Sequence, residues 1–368
     1  MAGMQAMRRP FSLAILGSLM FLYSSPVVAG ELPAEEVACV APDWQALPAD
    51  CRVRTFEYTM RGMVRLLLFW VGKSGVGGGT IRLLEGCPET GGGVLRGVEL
   101  LFGSRPEAVP GGHNRWGIGR ESGLWTEHEG RLLPRWTLFE GFMSKSDEGS
   151  LDEVEGAAEA GPGVRLFEAT QSCVTTESAA CRIFRFTAPS QATYASGEEV
   201  VTAYCRRLAE APDIERSTPR AGAAFGFLSA LQYFVDRALE TSKGSSSRRA
   251  LEGDEVAYAY NARPYTLRCK QLRLRDRLEL ESGAEFREVL ELEFETRNGE
   301  TGARHSFALV IGTQGEFRGV PLRIEDKPRW WLKVRLELMR SDAGTPGAGA
   351  GPGISLVCPR PPAVPPER

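Results

Sequence analysis

The sequence predicts a mainly β protein, built as an antiparallel curved sheet or open barrel with a two-helix insertion. Apolar and charged residues alternate over long stretches, as where Leu290, Leu292 and Phe294 are separated by glutamates, and this two-residue period is typical of half-buried strands. Apolar residues recur at helical spacing within residues 196–241. The composition, 42% hydrophobic and 25% charged, is that of a globular chain.

Residues 1–29 are predicted to form a secretory signal peptide. Arg8 and Arg9 provide the positive start, residues 11–23 are apolar, and Val27-Val28-Ala29 is a small-residue cleavage site. The apolar stretch is shorter than the ~20 residues of a typical transmembrane helix, although an uncleaved anchor is the alternative. We therefore expect an exported protein, in the periplasm or outside the cell, whose mature chain has no transmembrane span.

The eight cysteines all follow this segment, and their even number favours disulfides formed in an oxidising compartment. No pair has the C-x-x-C spacing, so neither a zinc knuckle nor a thioredoxin-type redox pair is indicated. Proximity along the chain favours a bond between Cys173 and Cys181 and another between Cys39 and Cys51. A buried thiol is the alternative for Cys205, which lies on a predicted helix.

The first half of the chain is predicted to be almost entirely strands. Residues 54–71 begin with alternation and end in an apolar run, which indicates a long strand that becomes buried on both faces. Gly75 to Gly79 is predicted to be the turn that follows it. Six carboxylates and many small residues predict a flexible acidic loop at 144–163. The other predicted strands are 80–84, 94–102, 114–119, 123–128, 131–143, 165–169 and 182–186.

Two helices are predicted next, within an insertion at about 196–241. Residues 196–199, Ser-Gly-Glu-Glu, fit a capping box, and Val201, Tyr204, Cys205 and Leu208 then share one helical face. The second helix spans about 221–240. Its uncharged part is only about 15 residues long, which indicates a buried helix rather than a membrane span.

The C-terminal part carries the clearest strand pattern. Asn298-Gly299 predicts a hairpin turn between two alternating segments. Residues 321–325 and 330–338 predict a second hairpin, and a Gly/Pro-rich tail is predicted at 341–368. One β-rich domain, residues 31–340, therefore lies between the signal peptide and the tail.

This last hairpin resembles that of an uncharacterised family of exported bacterial β-rich proteins of unknown function. The resemblance lies in Pro321-Leu322-Arg323-Ile324-Glu325 before the strand that ends at Leu338, and in Phe56-Glu57-Tyr58 before Val76-Gly77. It implies a curved antiparallel sheet or open barrel, reminiscent of envelope carriers of apolar ligands. The helical segment and the acidic loop look like insertions, and the family supplies no catalytic residues.

Several function classes are disfavoured by the sequence. With 44 basic and 47 acidic residues there is no basic excess to indicate nucleic-acid binding. Gly72-Lys73-Ser74 resembles the end of a phosphate-binding loop, but Leu67 stands where that motif needs glycine. The serine-hydrolase and zinc-protease motifs are absent from the sequence, and we predict no cofactor and no catalytic residue.

One polar concentration, between His113 and Glu129, allows two interpretations. His113 and His128 could bind a metal with a neighbouring carboxylate, or one of them could act as a base. We prefer the simpler interpretation, that these charges form the solvated faces of strands, because nothing in their spacing fixes a ligand geometry. A glycosidase-like carboxylate pair stays open, since it is defined by separation in space.

Three tryptophans are the candidate ligand-binding residues: Trp330, Trp331 and Trp70. Adjacent residues of a strand point to opposite faces, so Trp330 should share the apolar face of Leu332 to Leu338 while Trp331 faces the other way. We expect a non-catalytic envelope protein that binds a lipid-like or other apolar molecule. The alternatives are a hydrolase acting on an envelope polymer and a structural partner in an envelope assembly.

Overall fold

The structure is a computed structural model. It describes residues 39, 42, 44, 47–66, 69–89, 92–105, 107–108, 115–144, 163–210, 216–219, 223–241, 251–329, 332–339, 354–356 and 358. The predicted signal peptide, nearly all of the acidic loop, the Ser-rich stretch after the second helix, His113, Trp330 and Trp331 lie outside the described residues.

The predicted fold class is confirmed: the described residues form one antiparallel sheet of fourteen strands that curls almost into a closed barrel. The strands are β1 Arg52–Leu66, β2 Phe69–Glu89, β3 Gly93–Ser104, β4 Trp116–His128, β5 Arg131–Ser144, β6 Val164–Thr175, β7 Ser178–Pro189, β8 Arg216–Pro219, β9 Glu255–Tyr260, β10 Arg263–Glu279, β11 Glu285–Asn298, β12 Arg304–Ile311, β13 Pro321–Arg329 and β14 Leu332–Leu338. Two α-helices lie within the described residues, α1 Glu198–Glu210 and α2 Phe227–Thr241.

Two meanders make up the sheet. Strands β1 to β8 pair in chain order, and so do β9 to β14. The meanders join where β1 pairs with β14, with Tyr58 opposite Leu338 and Met60 opposite Leu336. The edge strands β8 and β9 are therefore consecutive in the chain but lie at the two ends of the sheet.

The first hairpin differs from the prediction. Strand β1 ends at Leu66 and β2 begins at Phe69, so the glycines at 75–79 lie within a strand and not in a turn. Gly79 pairs with Tyr58 on one side and Phe102 on the other, and these two rings meet edge to face with centroids 5.8 Å apart. A glycine in a strand often marks such close packing, since it leaves room for neighbouring groups.

A short segment before α2 connects β5 with the edge strand β9. The amide of Ala224 donates to the carbonyl of Pro134 at 3.1 Å, and the hydroxyl of Thr137 donates to the carbonyl of Ala224 at 2.9 Å. On the other side, the amide of Ala259 in β9 donates to the carbonyl of Phe225 at 2.9 Å. Part of an edge strand that could pair with another molecule is thereby covered.

The helices lie on opposite sides of the sheet. Helix α1 covers the outer face, where Tyr204 is buried against Phe142 and Phe184. Helix α2 lies inside the curved sheet, where Phe234 contacts the ring of Phe294 at a centroid distance of 5.5 Å. The apolar stripe of each helix thus packs against apolar side chains of the sheet.

Part of the predicted Gly/Pro-rich tail is packed on the sheet. Ile354 and Leu356 are buried on the outer face beside α1, and the hydroxyl of Ser355 donates to the carboxylate of Glu99 at 3.1 Å. A disulfide joins Cys358 to Cys205 of α1. Because this segment and α1 cover the outer face, long stretches of β4, β5 and β6 are buried on both sides.

The predicted disulfide pairs are wrong. Cys39 is bonded to Cys173 and Cys51 to Cys87, with Cα–Cα distances of 5.9 and 4.5 Å. The sheet register explains the first difference: Cys173 pairs with Ala180 and Ser172 with Cys181, so the side chains of Cys173 and Cys181 point to opposite faces.

The second difference has the same origin. Cys51 directly precedes β1, and Arg52 pairs with Glu85 near a bulge that ends at Cys87, so the sheet brings Cys51 and Cys87 together. Three disulfides are typical of a chain that folds in an oxidising, exported environment. Neither of the two helices in the described part of the chain is long and apolar enough to cross a membrane.

Candidate functional site

A cavity of about 290 Å³ lies between helix α2 and the inner wall of the sheet. Its volume is at the lower end of the range of ~300–1,000 Å³ that is usual for small-molecule sites. Most of its lining is aliphatic or aromatic. The apolar lining side chains are Ile81, Leu83, Val98, Leu100, Phe102, Phe139, Phe227, Leu228, Leu231, Val235, Leu239, Tyr260, Phe307, Leu309, Pro321, Ile324 and Leu336.

Strand and helix periodicities together produce this lining. In β3, Val98, Leu100 and Phe102 are two residues apart and therefore point to the same inner face. In α2, Leu228, Leu231, Val235 and Leu239 recur every three or four residues and form one stripe.

A buried carboxylate holds the start of α2. Glu121, on the inner face of β4, accepts hydrogen bonds from the amides of Leu228 and Ser229 at 3.1 and 2.7 Å. These amides belong to the first turn of the helix, where backbone donors lack helical partners. Burial raises the pKa of Glu121, and the hydrogen bonds from the helix oppose that rise only in part. A Cβ atom at Gly226 would overlap this carboxylate, so glycine permits the close approach.

An ion pair holds the middle of α2 to β3. The guanidinium of Arg96 donates to both carboxylate oxygens of Asp236, at 2.6 and 3.2 Å. It also lies over the ring of Trp125, 4.9 Å from its centroid. Bidentate pairs of this kind fix orientation as well as adding energy. Glu121 and Arg96 therefore position one wall of the cavity.

The polar part of the cavity lies at the end of the sheet where β1 begins and β2 ends. Arg54, Glu85 and Arg318 lie there, in addition to Arg96, Gln232 and Asp236. Arg54 forms an ion pair with Glu85 and donates to the carbonyl of Glu316. The site therefore combines an apolar interior with a charged rim.

The structure does not bring Trp70 to this cavity. Trp70 lies at the start of β2, opposite Arg65, and is 40% exposed, whereas β2 contributes Ile81 and Leu83 to the lining. Trp330 and Trp331 lie outside the described residues, so their predicted ligand contacts stay predictions. The predicted apolar face of β14 is present: Leu332, Val334, Leu336 and Leu338 are buried, and Leu336 lines the cavity.

The polar concentration in and around β4 is only partly solvated. His128 is exposed, with its Nε2 atom 4.0 Å from the carboxylate of Glu129. Arg120 and Glu121 are instead buried, on opposite faces of the sheet. The expectation of solvated strand faces is therefore wrong for Arg120 and Glu121. Helix α2 covers the inner face, and segments near the two ends of the chain cover the outer face.

No three His, Cys, Asp or Glu side chains in the part of the chain that the structure describes are grouped so that they could hold a metal ion. The Nε2 atom of His305 lies 2.6 Å from Asp326 in the interior, but no described serine or cysteine donates to that ring. Burial raises the pKa of Cys269 to about 12, so its thiol is protonated at neutral pH.

Most of the cavity could not be recognised from the sequence. The alternation of Val98, Leu100 and Phe102 was visible, but Glu99 and Leu101 on the other face are also buried, which conceals the inner face as a separate pattern. The rim arginines gave no signal, since Arg54 and Arg318 are far apart in the chain and meet only through the sheet. No protein-family model, curated protein or solved structure matches the chain.

Proposed function

We propose that the protein is a non-catalytic binding protein of the cell envelope or extracellular space that holds a lipid-like or other apolar molecule. The observation that carries this proposal is the apolar cavity between α2 and the sheet. Sites for small molecules are typically concave and mostly apolar, with a few polar groups that fix orientation. The three disulfides support an exported location.

The cavity size favours a ligand with one hydrocarbon chain. At about 290 Å³ it is small for a lipid with several chains. The protein would shield the chain of such a ligand from water between α2 and the inner wall, which is the source of affinity for apolar surface.

A role as a structural partner in an assembly is the second candidate. Phe69, Trp70 and Val71, at the start of β2, are 73%, 40% and 55% exposed. Contiguous exposed apolar residues often mark interaction sites. We rank this role second because a purely structural role would not account for the apolar cavity.

A fluorescent probe that brightens in apolar surroundings, N-phenyl-1-naphthylamine, tests the proposal. We expect saturable binding to the folded protein. Val98→Trp should weaken it by at least about tenfold, because the indole fills space that the probe needs. Val53→Trp is the matched control, since Val53 is 40% exposed on β1 and does not line the cavity.

Both variants should be compared with the parent protein well below their melting temperatures. Loss of binding in Val98→Trp alone supports a ligand in the cavity. Absence of saturable binding to the folded parent protein would contradict the proposed function. Equal binding by the parent protein and both variants would show that the probe binds outside the cavity.

A further inference from the structure

The charges at the cavity rim do not balance. Three arginines, Arg54, Arg96 and Arg318, line the cavity together with two carboxylates, Glu85 and Asp236. Arg96 is neutralised by its bidentate pair with Asp236, and Arg54 is paired with Glu85. One positive charge, that of Arg318, is therefore left beside an apolar cavity.

Arg318 is exposed and has no carboxylate partner among the described residues. Its Nη1 atom donates to the carbonyl of Thr313 at 3.2 Å, and this contact leaves the guanidinium charge uncompensated. Arg318 lies in the short connection between β12 and β13, next to Gly319 and close to Pro321, which also line the cavity. A positive group is thus available at the opening, where the head of a bound chain would emerge.

Arg54 adds a second donor at the same place. Its side chain is only 12% exposed, and its Nε atom is buried without a hydrogen-bond partner. Its Nη2 atom lies 3.5 Å from the carbonyl of Arg318, so the two residues are neighbours. A buried polar atom without a partner is costly, and a ligand oxygen is one group that could satisfy it.

We propose that the ligand is a single-chain amphiphile with an anionic headgroup, a carboxylate or a phosphate, and that Arg318 and Arg54 bind this headgroup. The inference rests on the proposed function, because it assumes that the chain of the ligand occupies the cavity. Arginine suits both headgroups, since its planar fork of donors matches carboxylate and phosphate oxygens. The apolar lining and the unpaired positive charge then have one common explanation.

Displacement of N-phenyl-1-naphthylamine by three ligands with the same twelve-carbon chain tests this. Dodecanoate and dodecyl phosphate carry a negative charge, and dodecanol does not. We expect at least one anion to bind on the order of tenfold more tightly than dodecanol, since hydrogen bonds to charged groups are the stronger ones. Whichever anion binds better identifies the headgroup chemistry.

Arg318→Gln separates the headgroup from the cavity. We expect it to lower the affinity for the anion far more than the affinity for dodecanol, and so to remove most of the preference for the anion. Arg287→Gln is the control, because the side chain of Arg287 is 83% exposed and does not line the cavity. The control should behave as the parent protein does.

The outcomes distinguish the two proposals. Equal affinity for the alcohol and both anions, or an anion preference that survives in Arg318→Gln, would overturn the headgroup site and leave cavity binding intact. Failure of all three ligands to displace the probe, or of the probe to bind, would contradict the proposed function itself.

Discussion

The sequence around Glu121 suggested a solvated strand face, but the fold buries this carboxylate. It is 3% exposed, and its two oxygens accept from the first turn of α2. The positive end of the helix favours a negative group there, while burial disfavours the charge. Burial has the larger effect, so the pKa of Glu121 is raised.

The raised pKa gives the stability of the protein a pH dependence. The native state holds the proton of Glu121 more tightly than the unfolded chain does. The free energy of unfolding should therefore fall as the pH rises from the ordinary value of 4.5 through the raised pKa. In Glu121→Gln this fall should be absent, because the amide does not titrate.

Urea unfolding of the parent protein and of Glu121→Gln at a series of pH values measures this effect. The substitution also removes one acceptor from the helix, but that loss does not vary with pH. The informative quantity is the difference in unfolding free energy between the two proteins. A difference that stays constant above pH 4.5 would show that Glu121 titrates normally.

Among the strands, β2 shows how an element can be misread when its glycines are taken as a turn. Gly79 lies between β1 and β3, and a Cβ atom there would be 2.5 Å from the ring of Phe102 and would overlap the carbonyl oxygen of Leu101. Gly62, in β1, has ordinary contacts: its Cβ would be 3.6 Å from Val76. The two positions therefore differ sharply in the space they offer.

Gly79→Ala and Gly62→Ala form a matched pair. We expect Gly79→Ala to destabilise the protein by about 2–3 kcal/mol or more, because the methyl group forces the backbone or Phe102 to move. Gly62→Ala should change stability by less than about 1 kcal/mol. Chemical denaturation of both variants checks this, and equal costs would mean that Gly79 is not needed for close packing.

Strands with one apolar face and one polar face could be predicted from the sequence. In β14 the apolar residues face the interior, while Arg335 binds Glu325 at 2.7 Å on the outer face, and this contrast is visible as alternation. In β4 and β5 it is not, because both faces are buried. The strand register could not be predicted from the sequence either. The opposite orientation of Cys173 and Cys181 depends on which residues pair between β6 and β7.

The cavity depends on an arrangement of the whole molecule. Its lining comes from β1, β2, β3, β5, β9, β12, β13, β14, α2 and the connection before β13, so no single segment carries its pattern. The sequence predicted that α2 is buried, but not that it lies inside the curved sheet. That position follows from contacts of the 223–226 segment with β5 and β9, which are distant in the chain.

The disulfides tie distant parts of the molecule together. Cys205–Cys358 closes a loop with a sequence separation of 153, and Cys51–Cys87 closes one of 36. In the chain-entropy description these bonds contribute roughly 5 and roughly 4 kcal/mol, because a longer loop restricts the unfolded chain more. Removal of the first should also loosen Ile354 and Leu356 from the outer face.

The variants Cys205→Ser/Cys358→Ser and Cys51→Ser/Cys87→Ser should therefore both be less stable, the first by the larger amount. Urea unfolding under non-reducing conditions measures the two costs. Peptide mapping of the parent protein without reductant should recover the Cys39–Cys173, Cys51–Cys87 and Cys205–Cys358 links. Recovery of a Cys173–Cys181 link would contradict the observed register.

The pairing of β1 with β14 has a consequence for how the molecule is made. A chain that emerges N-terminal end first can form the hairpins of its first meander early, but β1 keeps an open edge until β14 arrives. Contacts between residues so far apart in the chain form slowly, and open strand edges promote association in the meantime. While the protein folds, the second meander of one copy can therefore pair with β1 of another copy, in place of that copy's own β14.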